Sequence, residues 1–522
     1  MPAINKPEPG GGAVRTPSPH RSRRESARSP LFLFLIAAMA AGSCRHPGVR
    51  DPLREGLMRL PSTAASPLLQ QAVDALLADS LFPPSNAGID IVSLETDEVL
   101  YALNPEMLFT PGSNAKLLTA AGALTLLPAD AAMVTEIAPA ARDSSVLVIT
   151  GSGDPFLSGA EMDSIASRLA SLLPAGRSWT LVGDCTRFDG AAWGKGWMHD
   201  DEPDPSAPFQ SPLSFNGNTV TVVVAPGGEG GDPARVHLEP PTGFVRVSGA
   251  VLTREGGVQT PLGAGRLWTE GANVVRLEGE IARGDSARRF SFSLRNPPLF
   301  FLQALRERME QRGLCVAAAE TASGMAQGEP LLVFSRSIDS VVAGMNKKSD
   351  NLAAENLLKY LDWALSGAPG STEGGVGHLR RMLGVMGADT SRLVLADGSG
   401  VSRYNLVSAR TLTRVLRRVR ENPKTRDRFL ASLPLAGVDG TLRNRMKGTA
   451  AAGRVRAKTG TMAGVSALTG FVETADGEPL AFSILMQHYA APAEVYRAVQ
   501  DSIAVLLARL KGRIPPGGNA PR

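Results

Sequence analysis

The sequence predicts an α/β protein in which two helix-rich ends flank a long β-rich middle. Three observations carry that expectation. Apolar residues recur at helical spacing before about residue 130 and after about residue 331. Between those positions, short runs of β-branched and aromatic residues alternate with joins rich in Gly and Pro. The final stretch reads as strand, strand, tight turn, strand and long helix. The chain has 522 residues, 43% apolar and 20% charged, which suits a globular protein of two or three domains. Its 55 Gly and 38 Pro imply many turns.

An amphipathic helix is expected from about Ser66 to Ser80, then strands over Gly88–Leu94 and Glu98–Leu103. The loop Thr110-Pro111-Gly112-Ser113 stops at a run of good helix formers, Asn114 to Leu127. The middle, 130–330, carries β-like pieces at Ser145–Thr150, Trp179–Val182, Thr219–Ala225, Phe244–Leu252, Val274–Ile281 and Phe290–Leu294, and reads as one or two mostly β modules inserted into the chain. Helices return at Ser337–Met345, Asn351–Leu365, His378–Met386 and Ser408–Glu421. Strands are then expected at Arg454–Thr459, Ser466–Glu473 and Leu480–Gln487, the last two joined by the turn Thr474-Ala475-Asp476-Gly477. The helix from about Pro492 to Leu510 has an apolar face of Val495, Val499, Ile503, Leu506 and Leu510, and 513–522 is a Pro/Gly-rich tail.

The net charge of +5 is unevenly placed. Residues 1–43 hold six Lys and Arg against Glu8 and Glu25, so the remaining 479 residues carry only +1. That is far too little for a surface that tracks phosphates, and nucleic acid is excluded as a partner. The basic stretch His20–Arg28, the apolar run Leu31–Ala41 and the small residues Gly42 and Ser43 have the layout of a secretory signal. The run is too short to span a bilayer. Cys44 follows Ala41-Gly42-Ser43 and leaves two readings open: the acylated first residue of a lipoprotein, or an incidental cysteine after an ordinary cleavage site. Residues 44–65 form a linker. Contact with a membrane is expected only through the signal segment or a lipid on Cys44. Cys185 and Cys315 are free to pair in an exported compartment, though spacing alone does not decide it. Neither a zinc-ligand cluster nor a phosphate-cradling Gly-rich loop is present, so no metal or nucleotide cofactor is expected.

Three short motifs carry chemistry. Ser113-Asn114-Ala115-Lys116 opens a helix, where positions i and i+3 share a face. A hydroxyl then lies beside an amine, and a neutral Lys116 can take the proton of Ser113 without histidine. Ser349-Asp350-Asn351 stands at the start of another helix, and Lys458-Thr459-Gly460-Thr461 at the end of a strand. Singly, each has a plainer explanation: Ser113 as an N-cap with Lys116 solvated, Ser349-Asp350-Asn351 as a helix-entry turn, Lys458 as an exposed strand residue with Gly460 a bulge. One Ser-x-x-Lys match is expected about once by chance here, but Lys-Thr-Gly only about 0.06 times. Their order and placement make the set specific. Ser214-Phe215-Asn216 is a decoy for the second motif.

The trio resembles the signature of penicillin-recognising serine enzymes. The 236 residues between Ser113 and Ser349, with Gly151-Ser152-Gly153-Asp154-Pro155, Pro212 to Asn218, Asp397-Gly398-Ser399-Gly400 and Leu433-Pro434 through Gly440-Thr441-Leu442, are similar to one branch. That branch is the D-alanyl-D-alanine carboxypeptidase/endopeptidase family of class C low-molecular-mass penicillin-binding proteins. The resemblance implies a β-lactamase/transpeptidase-like domain, an antiparallel sheet flanked by helices, made from 66–129 and 331–512 and split by the β-rich insertion 130–330. It implies Ser113 as nucleophile, Lys116 as general base, Ser349 as proton relay and Lys458 as the charge that sets the local potential. Asn351 would hold a substrate amide, Lys458, Thr459 and Thr461 would receive the terminal carboxylate, and Gly460 would be a further substrate-binding position. The substrate implied is the D-Ala-D-Ala end of peptidoglycan stem peptides, cleaved in the periplasm or cell envelope, with β-lactams as inhibitors; cleavage of 4,3 cross-links is a second activity open to the same groups. Two rivals stand beside it: a serine β-lactamase, and a silent envelope-anchored peptidoglycan-binding protein. No Glu-x-x-Leu-Asn stretch lies between Asn351 and Lys458, which counts against the first, and Glu355, one turn beyond Asn351, reads as structural.

Overall fold

The structure is a computed structural model that describes residues 65–78, 86–267, 273–323 and 327–512. The leader 1–43, Cys44, all but the last residue of the 44–65 linker and the tail 513–522 lie outside the described residues.

The chain closes its first sheet with its two ends. Five antiparallel strands run in the order Val455–Met462, Val465–Glu473, Pro479–Gln487, Asn86–Ser93, Val99–Leu103. The three expected late strands are therefore the half of a sheet that the two early strands complete. Thr474 N donates to Glu478 O at 3.0 Å, closing the expected hairpin. The Ala493–Arg509 helix packs on one side, against Val465–Glu473. The Ala409–Glu421 helix packs against Asn86–Ser93 and Pro479–Gln487.

The helix Ala115–Leu126 runs through the middle of the helical layer, and every residue from Ala115 to Leu124 is buried. Its composition explains this: Ala120, Ala121, Gly122 and Ala123 let neighbours approach on all sides. A Cβ on Gly122 would lie 2.1 Å from Leu379 Cδ2. Around it pack Ile338–Lys348, Asn351–Ser366, Thr372–Val385 and Pro423–Ser432. Their shared core includes Leu117, Leu124, Val341, Leu357, Leu412 and Phe429.

The middle of the chain is less purely β than its texture suggests. A second five-stranded sheet runs Cys315–Ala322, Ser178–Asp184, Val146–Gly151, Ala132–Pro139, Leu332–Ser337. Its first three strands are parallel, so each crossover needs a connection across the sheet face. Two helices absent from the sequence reading, Gly159–Leu172 and Pro297–Glu310, lie between those strands in the chain and pack on each other. With the sheet they bury a second core of Leu147, Ile149, Ile165, Leu181, Phe301 and Leu305. Small sheets built from Thr219–Ala225, Arg235–Glu239 and Arg288–Ser293 and from shorter strands complete this part; the expected strands Phe244–Leu252 and Val274–Ile281 are each broken in two.

Cys185 and Cys315 are free. Cys315 begins its strand opposite Ser178, whereas Cys185 follows the far end of the partner strand at Asp184. At about 3.3 Å per residue the two thiols are about 20 Å apart, far beyond disulfide reach.

Candidate active site

Ser113 sits in a single 3-10 turn, Gly112–Asn114, placed directly ahead of the Ala115–Leu126 helix. It is not an N-cap: neither its side chain nor that of Asn114 makes a cap hydrogen bond. Asn114 is buried and donates to Thr469 Oγ1 at 2.9 Å, which ties the turn to the Val465–Glu473 strand. Gly112 (φ +52°) and Gly400 (φ +86°) are both left-handed, and a Cβ on Gly400 would stand 1.8 Å from Gly112 O. The loop after Asp397 thus presses against the turn that carries Ser113, and only glycine fits there.

Lys116 is fully buried rather than solvated. Its Nζ donates to Ser113 Oγ at 3.0 Å, Asn351 Oδ1 at 2.5 Å and the carbonyl of Ser399 at 2.8 Å.

Ser349 ends the Ile338–Lys348 helix in a left-handed conformation (φ +60°). Such a conformation costs a non-glycine residue about 1 kcal/mol. Asp350 then caps the next helix, Asn351–Ser366, by accepting from Ala353 N at 2.8 Å. This reversal aims Ser349 at the sheet, while Asn351 turns to Lys116. The amide nitrogen of Asn351 donates to Ser206 O at 2.5 Å, bringing a segment of the middle part of the chain to the site.

Lys458 is also fully buried. It donates to Ser349 Oγ at 2.8 Å and to Thr459 O at 2.9 Å. Gly460 is no bulge: the register from Lys458 opposite Thr469 to Thr461 opposite Ser466 is unbroken. Its lack of a side chain matters for space, since a Cβ would stand 2.8 Å from Pro111 O and 3.2 Å from Ser113 N. The same geometry sets the Thr461 amide near Gly112, 3.6 Å from where a Cβ would be. Thr461 is exposed, and Thr459 Oγ1 donates to Thr441 Oγ1 at 2.9 Å.

All eight residues singled out in the sequence therefore converge where the central helix meets the edge strand. Burial pulls Lys116 down to about 8, against the pull of Asp397, Glu355 and Asp350. Burial also holds Lys458 well below its ordinary value, and Lys116 pushes it further the same way. Among the described residues no carboxylate forms an ion pair with either lysine. Two amines, each on a serine hydroxyl and neither in an ion pair, make a site suited to proton transfer and to an anionic ligand.

Sequence reasoning gave no role to the partners that come from loops, although Asp397 and Ser399 lie in a stretch that carries the resemblance. Ser399 contributes only a carbonyl, which no side-chain pattern reveals. Asp397 holds its turn by accepting from Trp197 Nε1 at 2.9 Å, Gly400 N at 2.8 Å and Ser402 N at 2.6 Å. Thr441 was legible as part of a resembling stretch but without a role. The decoy Ser214 is buried away from this cluster, its hydroxyl donating to Ser211 O at 2.9 Å.

Comparison with known proteins bears on the chain as a whole. The family profile described as D-Ala-D-Ala carboxypeptidase 3 (S13) matches residues 69–510. A D-alanyl-D-alanine carboxypeptidase of an Actinomadura species is 34% identical over 471 residues, covering 86% of each chain. The D-alanyl-D-alanine carboxypeptidase DacB of Haemophilus influenzae is 24% identical over 427 residues, 79% of this chain and 88% of that one. Among solved structures, penicillin binding protein 4 (dacB) from Haemophilus influenzae superposes with a TM-score of 0.72 at 23% identity, over 84% of this chain and 99% of that one, a likeness of fold.

Proposed function

The chain belongs to the D-Ala-D-Ala carboxypeptidase 3 (S13) family, and from that premise we propose that Ser113, Lys116, Ser349 and Lys458 carry out its serine-type carboxypeptidase reaction. The observation that carries the assignment is the pairing of two buried lysines, neither in an ion pair, with two serine hydroxyls, at 3.0 Å and 2.8 Å.

Lys116 is built to act as a free base. Asn351 Oδ1 and Ser399 O accept from it. In the neutral amine those two acceptors take both hydrogens, which leaves the lone pair for the Ser113 hydroxyl. Ser113 Oγ attacks the carbonyl of the penultimate D-Ala and gives its proton to Lys116 Nζ. The amides of Ser113 and Thr461 receive the developing oxyanion in the space that Gly460 leaves open. The terminal carboxylate lies against Lys458, Thr459 and Thr461, and its charge favours the ammonium form of Lys458. Ser349 relays the proton that Lys116 took from Ser113 to the leaving amine of D-Ala, which returns Lys116 to the free base, and Asn351 offers its amide hydrogen, now on Ser206 O, to a carbonyl of the stem peptide. Water then releases the acyl group from Ser113.

A 4,3 cross-link differs only in that the leaving amine belongs to a second stem peptide, so endopeptidase action uses the same atoms. The basic and apolar pattern of 1–43 supports export to the cell envelope, with the peptidoglycan substrate. Among the described residues no helix is long and apolar enough to cross a membrane. The two cores support reading 130–330 as an insertion into a domain made of 66–129 and 331–512.

Intact-protein mass spectrometry after exposure to benzylpenicillin tests the assignment. A long-lived adduct is expected on the natural chain and none on Ser113→Ala. Rapid loss of penicillin with no adduct would indicate a β-lactamase instead, and a folded chain showing neither would remove the catalytic reading.

A further inference from the structure

Glu355 lies one turn beyond Asn351 on the same helix, and its side chain is completely buried. A carboxyl group so placed is costly unless something specific holds it. Its Oε1 accepts from the backbone amides of Gly398 at 3.1 Å and Ser399 at 2.7 Å. Oε2 has no donor among the described residues. The peptide held in this way ends in the Ser399 carbonyl, the acceptor for Lys116 Nζ at 2.8 Å. Glu355 thus reaches the general base through a single residue, and the mechanism above makes no use of it.

We propose that Glu355 is a positioning residue for Lys116: its carboxyl group fixes the turn that supplies the lysine's acceptor, and its charge sets the pH at which the lysine becomes a free base. The inference rests on Lys116 being the base for Ser113.

The charged groups that face this pair come from four elements. Asp397 lies on the same turn as Ser399 and repels a second negative charge on Glu355. Asp350, at the start of the helix that carries Glu355, and Lys458, on the edge strand, both act on Lys116. Lys116 itself stands on the central helix. Burial and Asp397 raise Glu355 well above the usual carboxylate range, against the opposing pull of its two amide donors and the Ser399 side chain. A charged Glu355 favours the ammonium form of Lys116 and a neutral one favours the amine. The sign follows: abolishing the charge lowers the pH at which Lys116 is free.

The test is the rate of acylation by benzylpenicillin against pH for the natural chain and Glu355→Gln, which keeps an oxygen for the two amides. The natural chain is expected to gain rate as pH rises through about 8. In the variant the upper part of that limb moves down, by at most about one unit, as removal of a nearby charge does. Between about pH 7 and 8, where Glu355 is charged in the natural chain, the variant then acylates up to a few fold faster; at about pH 6, where Glu355 is already neutral, the two rates converge, and the variant's high-pH plateau falls because the base is weaker. A purely structural role would lower the rate at every pH and leave the limb in place, which would overturn the inference while leaving Ser113 and Lys116 in their roles. Loss of Ser113-dependent acylation in the natural chain would instead remove the reading beneath it. Infrared difference spectra of the natural chain with isotope-labelled glutamate need no variant. A protonated glutamic acid persisting at about pH 6, where an ordinary one is ionised, is expected; its absence would also overturn the inference.

Discussion

The two lysines of the site are equally buried and similarly close to a serine hydroxyl, yet their surroundings are opposite. Lys116 has Asp397, Glu355 and Asp350 within electrostatic reach, and they hold it near 8 against the cost of burial. Lys458 has no carboxylate to set against burial, only the repulsion of Lys116. One end of the site is thus poised around a proton, and the other lacks a negative charge that a substrate can bring. In the proposed mechanism the same residue type serves as a base or as an anion receptor according to the carboxylates placed around it.

Three substitutions probe this contrast. Lys116→Met should cause the largest loss, about a thousandfold in the rate of acylation by benzylpenicillin, the scale of a lost general base. Its thermal midpoint should fall by a few degrees at most, because an apolar chain of similar length fills the space while Asn351 Oδ1 and Ser399 O lose their donor. Lys458→Met should lower kcat/KM for a peptide ending in D-Ala-D-Ala by about tenfold to a hundredfold, as loss of a charged hydrogen bond implies. The sharper readout is selectivity: the natural chain should prefer a free C-terminal carboxylate over its amide, and the variant should not. Equal preference in both would break the assignment of Lys458 as anion receptor. Thr441→Val should have the smallest effect, a rise in KM of a few fold, since it removes only the acceptor of Thr459 Oγ1, worth about 1 kcal/mol. An effect on the pH dependence of acylation would place Thr441 at the other end of the site.

How far these roles could be read from the chain follows from where each group lies. Ser113 and Lys116 share one turn, and Asn351 follows Ser349 by two residues, so local spacing was enough to nominate them. Ser399 offers a backbone oxygen, and Glu355 matters through the turn it holds; both depend on contacts distant in sequence. The middle of the chain shows the other limit. Gly- and Pro-rich joins drew attention from the helix at Gly159–Leu172, although Ser158 and Glu161 form a capping box visible as Ser-x-x-Glu. The helix Pro297–Glu310 has two prolines in its first turn and an Arg306–Glu310 pair four residues apart, equally legible signals. The early strands could be seen one by one, but not that Asn86–Ser93 would lie beside Pro479–Gln487, because side-chain alternation names a face and never a partner.

That pairing has a consequence for how the molecule comes into being. Asn86 waits for Gln487, so the sheet beneath the site cannot be finished while the ribosome is still making the chain's last strands. Everything between them, including the middle part with its own core, emerges earlier and can order first. A closure between segments so distant in sequence is slow. The hydrolytic site is therefore among the last features to form, and the newly made chain stays inactive until its final strands are in place.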